Sequence, residues 1–230
     1  MAPYLVFTLC AGMAAMGELA GHERRGTLTW PGRSAVLGLV AAALGVRRDD
    51  AAGFARLETL RLAVGVLDDG MPLRDYHTVE TVPTAAARNP DSRPAALRKA
   101  GRATNTTITL RDYRVGVAYT VALWGAPFDG IADALERPVF ALYLGRKSCP
   151  LAAPPAPRLV EADDPVAALG QARLPPFLPL GTMGLVASDE RIAADDAIDS
   201  RNDIAIDRSK WHFAARPVFL HRPAAEDNAA

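Results

Sequence analysis

The sequence predicts an α+β fold with a ferredoxin-like core, an inserted β-hairpin arm and an irregular, partly β C-terminal extension. The first observation behind this prediction is the order of the patterned segments, β-α-β-arm-β-α-β, which is the split βαβ arrangement of RNA-recognition modules. The second is a change of composition near residue 150, because ten of the 18 prolines follow residue 148. The predicted core therefore covers residues 1–150, with the arm at about 74–114, and the extension covers residues 151–230.

The first predicted strand covers residues 4–9, a β-prone apolar run that we expect to be buried on both faces. Residues 13–32 contain four glycines and predict a long loop. A helix is predicted over residues 33–44, since its large apolar side chains recur on one face. Gly45 is placed to end this helix in a left-handed conformation.

A second strand is predicted over residues 60–67, and the Asp-Asp-Gly sequence that follows it is a strong turn signal. Residues 71–114 differ in character, with eight basic and four acidic residues, and Pro83, Pro90 and Pro94 interrupt any long element. Residues 104–110 within this segment are rich in threonine and β-prone. The segment has too few large apolar residues for a core of its own, so it predicts an arm or hairpin inserted between core strands.

Core composition returns at residues 116–124, which predict a third strand, and residues 127–136 predict a short helix. Residues 139–144 predict the last core strand. Residues 161–207 carry ten acidic and three basic residues. The extension is expected to contain a few strands, including residues 178–186 and 211–220.

The formal net charge is zero, but the charges are unevenly placed. Residues 1–148 contain 18 basic and 14 acidic residues, and arginine supplies 23 of the 26 basic residues of the chain. The guanidinium fork suits phosphate oxygens, which favours a nucleic-acid partner. A bias in genomic base composition explains the same arginine usage equally well, so the composition leaves both explanations open.

The sequence lacks the motifs that several classes of function require. The sequence contains no complete phosphate-binding loop, no dinucleotide-binding glycine motif, no serine-hydrolase elbow and no HExxH motif. The four histidines and two cysteines show no metal-ligand spacing, so we expect no metal and no cofactor. No signal peptide or membrane span is evident, and distant cysteines suit a reducing compartment, so a cytoplasmic protein is predicted.

Three features remain as candidate sites. Arg33 and Ser34 begin the predicted helix, where free amides favour a phosphate, although Ser34 could simply satisfy the helix start while Arg33 is solvated. Residues 143–148 place an aromatic ring, two cations and a hydroxyl after a strand, which suits base stacking and backbone binding, or an ordinary exposed turn. Two Arg-Asp-Tyr clusters, at residues 74–78 and 111–114, mark the base of the arm and are as readily structural as functional.

Five ordered segments carry a family resemblance. Residues 4–12, 31–50, 73–79, 119–124 and 143–150 resemble, in order and spacing, motifs of the Cas-five (RAMP) family, in particular its subunit of type I-E CRISPR Cascade complexes. The resemblance covers about the first 150 residues, and the total length of the chain also agrees with that of the family. Beyond residue 150 only scattered similarity remains.

The resemblance implies a RAMP core, a protruding hairpin thumb and a C-terminal extension. It also implies a non-catalytic crRNA-binding subunit that caps the crRNA 5′ end and holds the repeat-derived 5′ handle. Such a subunit contacts the Cascade backbone subunit and the large PAM-recognition subunit, and it meets target DNA indirectly through the complex. The RNA-binding candidates are Arg24, Arg25, Arg33, Ser34, Tyr76, His77, Arg111, Tyr143, Gly145, Arg146, Lys147 and Ser148.

The sequence departs from the family pattern at Met16, where relatives commonly have tryptophan. A stacking platform is therefore expected to be missing there, with Trp30 or Tyr143 as the substitutes. The alternative function is a metal-independent endoribonuclease that processes CRISPR repeat RNA, for which His77 with Tyr76 forms the one candidate cluster. A third possibility is a protein-interaction module without RNA contacts of its own.

Overall fold

The computed structural model describes residues 1–20, 23–178, 182–207 and 212–223. Five helices lie in these ranges: α1 (Arg33–Leu44), α2 (Ala51–Glu58), α3 (Arg93–Ala100), α4 (Ile131–Glu136) and α5 (Pro165–Leu169). Ten strands form one mixed sheet across the same ranges: β1 (Ala2–Ala14), β2 (Met16–Ala20), β3 (Arg24–Leu28), β4 (Arg61–Asp68), β5 (Met71–Thr81), β6 (Asn105–Trp124), β7 (Arg158–Ala162), β8 (Leu185–Ser188), β9 (Ala197–Asp207) and β10 (His212–His221). The prediction of an α+β fold is confirmed.

Strand β1 pairs with β6 on one side and with β7 on the other, and β6 pairs in turn with β4. All three pairings are antiparallel. Residues 4–11 of β1 are buried, as expected for a strand covered on both faces. Alternate side chains face two cores: Phe7 packs with α1 residues such as Val36, whereas Val6 packs with Leu169 of α5.

The predicted helix at residues 33–44 matches α1, and Gly45 ends it with φ of +78°. The predicted loop at residues 13–32 is wrong. β1 continues to Ala14, and β2 and β3 form an antiparallel pair whose second strand runs parallel beside β6. Glycines in this segment suggested a loop, but pairing with distant β6 stabilises strands that local propensity does not reveal.

The predicted strand at residues 139–144 is also wrong. Val139 and Phe140 are 65% and 44% exposed, and their amides donate to the carbonyls of Ala43 and Ala42 at the end of α1. The strand that lies beside β1 is instead β7. The preceding helix, predicted to start at residue 127, begins only at Ile131.

The predicted arm is a long antiparallel hairpin. β5 pairs with the first half of β6 over eleven residue pairs, from Met71 opposite Val115 to Thr81 opposite Asn105. Helix α3 lies between the two strands in sequence, at the far end of the hairpin, and Ser92 caps its first turn. The second half of β6 is buried in the core, so the hairpin and the core share one continuous strand.

The C-terminal segment extends the same sheet, because β8 pairs with β4, and β10 pairs with β8 and β9. The predicted strand at residues 178–186 corresponds to β8, which begins later, at Leu185; residues 179–181 lie outside the described residues. The predicted strand at 211–220 corresponds to β10, and Trp211 also lies outside them. The division at residue 150 stays a prediction, and strands pair across it.

No helix in the described ranges is long and apolar enough to cross a membrane. No grouping of three or more His, Cys, Asp or Glu in those ranges could hold a metal ion.

Candidate nucleic-acid interface

Two arginines from distant parts of the chain meet where β3 runs beside β6. Arg25 is the register partner of Arg111, and the preceding pair is Arg24 with Leu110. Because side chains alternate between the faces of a strand, Arg25 and Arg111 lie on the same face as Tyr113. Two of the predicted RNA-binding residues are thus neighbours.

A third arginine comes from the loop of residues 144–149, whose position depends on Gly145. This glycine has φ of +84°, and a Cβ added there would lie 1.7 Å from the carbonyl oxygen of Ala15. The Ala15 amide donates to the Leu144 carbonyl at 3.1 Å, and the Leu144 amide donates to the Cys149 carbonyl at 2.9 Å. Only glycine allows this approach, so the loop is held against the end of β1.

Arg146 reaches from this loop to the β3–β6 junction. Its guanidinium carbon lies 4.3 Å from the centre of the Tyr113 ring, which is a cation–π contact. Its Nη2 donates to the Arg25 carbonyl at 3.4 Å. Tyr113 itself is buried and packs with Ala15 and Cys149. The buried ring therefore fixes the position of the Arg146 guanidinium.

We call Arg25, Arg111 and Arg146 the basic cluster. No carboxylate in the described ranges forms an ion pair with any of the three, although Asp75 is the register partner of Arg111 on β5. The Nε of Arg111 and the Nη1 of Arg146 are buried and have no hydrogen-bond partner among these residues. Such donors cost roughly 1–3 kcal/mol each when unpaired, and more when charged. The half-buried side chains of Arg111 and Arg146 and the exposed side chain of Arg25 therefore keep a positive charge that no described carboxylate compensates.

The other predicted loop residues lie beside the basic cluster. Lys147 and Ser148 are exposed, and Tyr143 is 36% exposed. Met16, the position where a stacking ring is missing, is buried in the core. Trp30 is also buried, and the Arg201 guanidinium lies 4.3 Å from its ring centre. Of the two predicted substitutes, only Tyr143 presents part of its ring to solvent.

Arg24 lies on the opposite face of the hairpin base, where it meets Asp112. The Nε of Arg24 donates to Asp112 at 2.9 Å, and the Nε of Arg74 donates to the other carboxylate oxygen at 2.7 Å. These two cations share one carboxylate, so their charge is partly compensated. The hydrogen bond from Arg74, joined by that from Arg24, lowers the pKa of Asp112 to about 2.

We predict that the Asp112 carboxyl titrates near pH 2, and that Arg74→Gln moves its pKa back toward the ordinary 3.8. A depressed carboxyl pKa stabilises the fold above its unfolded value, and this stabilisation is lost as the pH falls from 3.8 to about 2. Carbon-13 NMR of the carboxyl against pH measures the shift. Arg98→Gln, a change at the far end of the hairpin, serves as the control. An unchanged Asp112 titration in Arg74→Gln would contradict the assignment.

The side chains of Tyr76 and His77 do not meet at one site. They are successive residues of β5, so their side chains lie on opposite faces of the hairpin. Tyr76 is 71% exposed, whereas His77 is half-buried opposite Thr109, whose hydroxyl donates to the His77 carbonyl. A general acid and base beside one phosphate need both groups within hydrogen-bond reach of it, and this pair lacks that arrangement.

Arg33 lies in an environment that its sequence position did not predict. Only 13% of its side chain is exposed, and its guanidinium forms an ion pair with Asp189. The same group donates to the carbonyls of Glu58 at 2.8 Å and Leu60 at 2.7 Å. Its donors are occupied by acceptors of the protein. Binding of the handle by Arg33 and the half-buried Ser34 stays a prediction that these contacts do not favour.

Asp203 and Arg216 complete this arrangement. The Arg33 amide donates to Asp203 at 2.7 Å, so a carboxylate occupies the start of α1 where we expected a phosphate. Arg216 pairs with Asp203 at 2.6 Å and with Asp189 at 2.8 Å. Burial raises the pKa of Asp189, and Arg216 and Arg33 oppose that shift. We call Arg33, Asp189, Asp203 and Arg216 the buried network. Sequence reasoning missed its last three members, because they lie more than 150 residues from Arg33.

The fold and the site define a class: an α+β protein with a projecting hairpin and, at the hairpin base, an uncompensated arginine cluster suited to polyanions. The chain belongs to the family described as CRISPR-associated protein (Cas_Cas5), whose model matches residues 4–219.

A named relative and two solved structures agree with this membership. The chain is 36% identical over 184 residues to the CRISPR system Cascade subunit CasD of Escherichia coli (strain K12), covering 74% of this chain and 76% of the relative. A structure titled CRISPR RNA-guided surveillance complex matches with a TM-score of 0.68 and 29% identity, over 95% of this chain and 89% of that one. A structure titled Crystal structure of Cas protein matches with a TM-score of 0.60 and 26% identity, over 95% and 94%.

Proposed function

We propose that this chain is a non-catalytic crRNA-binding subunit of a type I-E Cascade surveillance complex, in which it caps the crRNA 5′ end and holds the repeat-derived 5′ handle. The single observation that carries this proposal is the basic cluster, in which three arginines meet without an ion pair to any carboxylate of the described residues. Membership in the Cas5 family and the similarity to a Cascade subunit support it.

The proposal gives each part of the cluster a role. Arg111 and Arg146 bind phosphate oxygens through the accessible part of their half-buried guanidinium groups, whose charge no described carboxylate compensates. Lys147 adds a flexible point charge, and Ser148 adds a hydroxyl at the exposed side of the loop. The partly exposed Tyr143 ring is available to stack on a splayed base of single-stranded RNA. Gly145 acts indirectly, by holding the loop that carries them.

The fold supports a more specific assignment as well. We propose that β7, β1, β6 and β4 correspond to the four strands of a ferredoxin-like core, with α1 and α4 as its two helices. The β5–β6 hairpin would then be the thumb of the family. The acidic C-terminal segment repels RNA and would face the Cascade backbone subunit or the large subunit. The proposed setting is the cytoplasm, without a metal or cofactor.

The proposal predicts that Arg111→Gln combined with Arg146→Gln lowers affinity for the 5′ handle at least 100-fold. Two lost charge-assisted contacts of about 1.5–3 kcal/mol each account for that loss. Fluorescence anisotropy with labelled cognate handle RNA measures the affinity, and nuclease protection of the guide 5′ end in the assembled complex provides a second readout. Arg47→Gln with Arg56→Gln, two exposed cations outside the cluster, is the matched control.

Two outcomes would contradict the proposal in different ways. Unchanged handle affinity and unchanged 5′-end protection in the cluster variant would make the chain a protein-interaction module. Site-specific cleavage of cognate repeat RNA without metal, abolished by His77→Ala, would make it a processing endoribonuclease. The opposite orientations of Tyr76 and His77 argue against the second outcome.

A further inference from the structure

The hairpin formed by β9 and β10 has an inverted distribution of polar and apolar side chains. Over residues 198–207 the odd-numbered residues are buried or half-buried, whereas the even-numbered residues are exposed. The buried side carries the charged residues Asp199, Arg201 and Asp203, and the exposed side carries three isoleucines. A strand at the protein surface ordinarily has the opposite arrangement, with apolar side chains inward and polar ones outward.

Ion pairs within the chain fix the charged side of this hairpin against the core. Arg216 pairs with Asp203 at 2.6 Å, and the Arg33 amide donates to the same carboxylate at 2.7 Å. Arg201 pairs with Asp199 at 2.9 Å. Turning the hairpin over would break these contacts, so the isoleucines are held on the outer side.

We call the exposed side of the hairpin the isoleucine face. In β9 it consists of Ile198, Ser200, Asn202, Ile204 and Ile206, and the register partners of the first three in β10 are Phe219, Pro217 and Ala215. Ile198, Ile204 and Ile206 are 60%, 41% and 70% exposed. None of these eight side chains is charged, and their exposure shows that the described elements leave the face uncovered.

The composition of the isoleucine face selects a protein partner. Nucleic-acid interfaces are polar and strongly positive, whereas the centre of a protein interface is apolar and depleted in charge. Strand addition along the edge of β9 is disfavoured, because two register shifts interrupt its ladder with β10 and such irregularities protect a sheet edge. The face, and not the edge, is therefore the surface that fits a partner.

The order of side chains along β9 is symmetric. Ile198 and Ile204 enclose Ser200 and Asn202, so this part of the face reads apolar, polar, polar, apolar. A second copy, packed face to face about a two-fold axis across the strand, would set Ile198 against Ile204 and Ser200 against Asn202. Each isoleucine would then meet an isoleucine, and the hydroxyl and amide groups would be opposite each other as hydrogen-bonding partners.

A cation beside the face fits the same arrangement. The Arg191 guanidinium lies 5.1 Å from the ring centre of Phe219 and donates to the Ala194 carbonyl at 2.8 Å. Because Phe219 is the register partner of Ile198, this cation lies at one end of the face. The two-fold axis would place the Arg191 side chains of two copies at opposite ends, so like charges would not meet.

The size of the face indicates how strong the association is. The eleven residues of β9 extend about 35 Å, and two strands are about 10 Å wide, which gives roughly 350 Å² per copy. A standard protein interface buries about 800 Å² per partner, so we expect a dissociation constant of about 10 µM or weaker.

We infer that the isoleucine face binds a second copy of this chain and forms a weak two-fold dimer of the free protein. The inference does not rest on the proposed function, because the residues of the basic cluster lie outside this face. A contact of this strength also leaves the chain able to enter a larger assembly, since association follows mass action.

The test is sedimentation equilibrium of the full-length chain from about 5 to 500 µM in about 0.15 M salt. The average mass of the wild type should rise from that of the monomer toward twice that value. Ile198→Lys with Ile204→Lys should weaken association at least about 100-fold, because the two-fold axis sets each introduced ammonium group against another. Ile108→Lys with Val139→Lys changes two exposed residues elsewhere and should associate like the wild type.

A charge exchange within one chain tests the two-fold axis. Ile198→Lys with Ile204→Glu sets each ammonium group against a carboxylate of the other copy. This variant should associate more tightly than Ile198→Lys with Ile204→Lys, and it should lose that advantage as the salt is raised to about 1 M. Circular dichroism should show the wild-type spectrum for every variant, since the substituted side chains are exposed.

Three outcomes would overturn the inference. The first is a wild-type chain that stays monomeric over the whole concentration range. The second is that chain together with an Ile198→Lys, Ile204→Lys variant that fails to bind another Cascade subunit, which would make the face a contact with that subunit. The third is equal association of the two charge variants, which would exclude the two-fold arrangement.

The Arg111→Gln, Arg146→Gln variant separates this inference from the proposed function. It should associate like the wild type, because its substitutions lie outside the isoleucine face. Unchanged handle affinity in that variant would contradict the proposed function and leave the dimer intact. A monomeric wild type with handle affinity lost in that variant would contradict the dimer alone.

Discussion

Replacing Arg33 by glutamine is expected to lower the free energy of unfolding by roughly 3 kcal/mol, because it removes one member of a buried ion-pair network. Glutamine cannot pair with Asp189, whose side chain is 13% exposed, and it loses the donors that reach the Glu58 and Leu60 carbonyls. Asp189 keeps its pair with Arg216, so the loss should lie at the lower end for broken buried pairs, about 3–5 kcal/mol.

Thermal unfolding followed by circular dichroism measures this effect, with an expected decrease of about 6–12 °C in melting temperature. Arg47→Gln is the control, because an exposed surface substitution of this kind should change stability by about 0.5 kcal/mol or less. Handle affinity measured well below the melting temperature should be unchanged. A variant that melts like the wild type but binds the handle poorly would return Arg33 to the RNA-binding site.

Gly145→Ala is expected to destabilise the protein by about 2–4 kcal/mol and to lower handle affinity at the same time. Positive φ alone disfavours alanine by about 1–2 kcal/mol. The added Cβ would also lie 1.7 Å from the Ala15 carbonyl oxygen, which is backbone and cannot rotate away. The loop must therefore move off β1, and Arg146 moves with it, away from the ring of Tyr113.

Gly116→Ala is the matched control for this prediction. Gly116 has φ of +75°, but nothing lies within 4 Å of a Cβ added there, so it reports the conformational cost without the clash. Urea denaturation measures stability, and anisotropy with handle RNA measures binding. Equal effects of the two substitutions on both quantities would contradict the role given to the docked loop.

Local patterns predicted the elements whose buried side chains follow a regular spacing or a continuous apolar run in the sequence. Apolar spacing and a terminal glycine were enough for α1, which has the predicted bounds. A continuous apolar run was enough for the buried centre of β1. Local composition was also enough to predict that residues 71–114 form an inserted arm. In each case the information lies within a window of a few turns or one strand.

Prediction failed where a partner distant in sequence decides the conformation. Residues 139–144 have strand composition, yet Val139 and Phe140 bond to the end of α1, and β7 pairs with β1 instead. Residues 13–32 have loop composition, yet pairing with β6 makes β3 a strand. Hydrogen bonds to a remote chain segment outweigh a propensity scale that spans only about 1 kcal/mol.

The same distinction between local sequence and distant contacts applies to the candidate site. The amino-acid sequence alone determined which side chains could bind a polyanion, since the guanidinium groups, the aromatic rings and the family motifs are visible in it. Tertiary structure decided which of them are available, by pairing Arg33 with Asp189 while leaving donors of Arg111 and Arg146 without partners. The physical reason is that the charge of a residue is a local property, but its compensation depends on carboxylates that the fold brings close from distant positions in the chain.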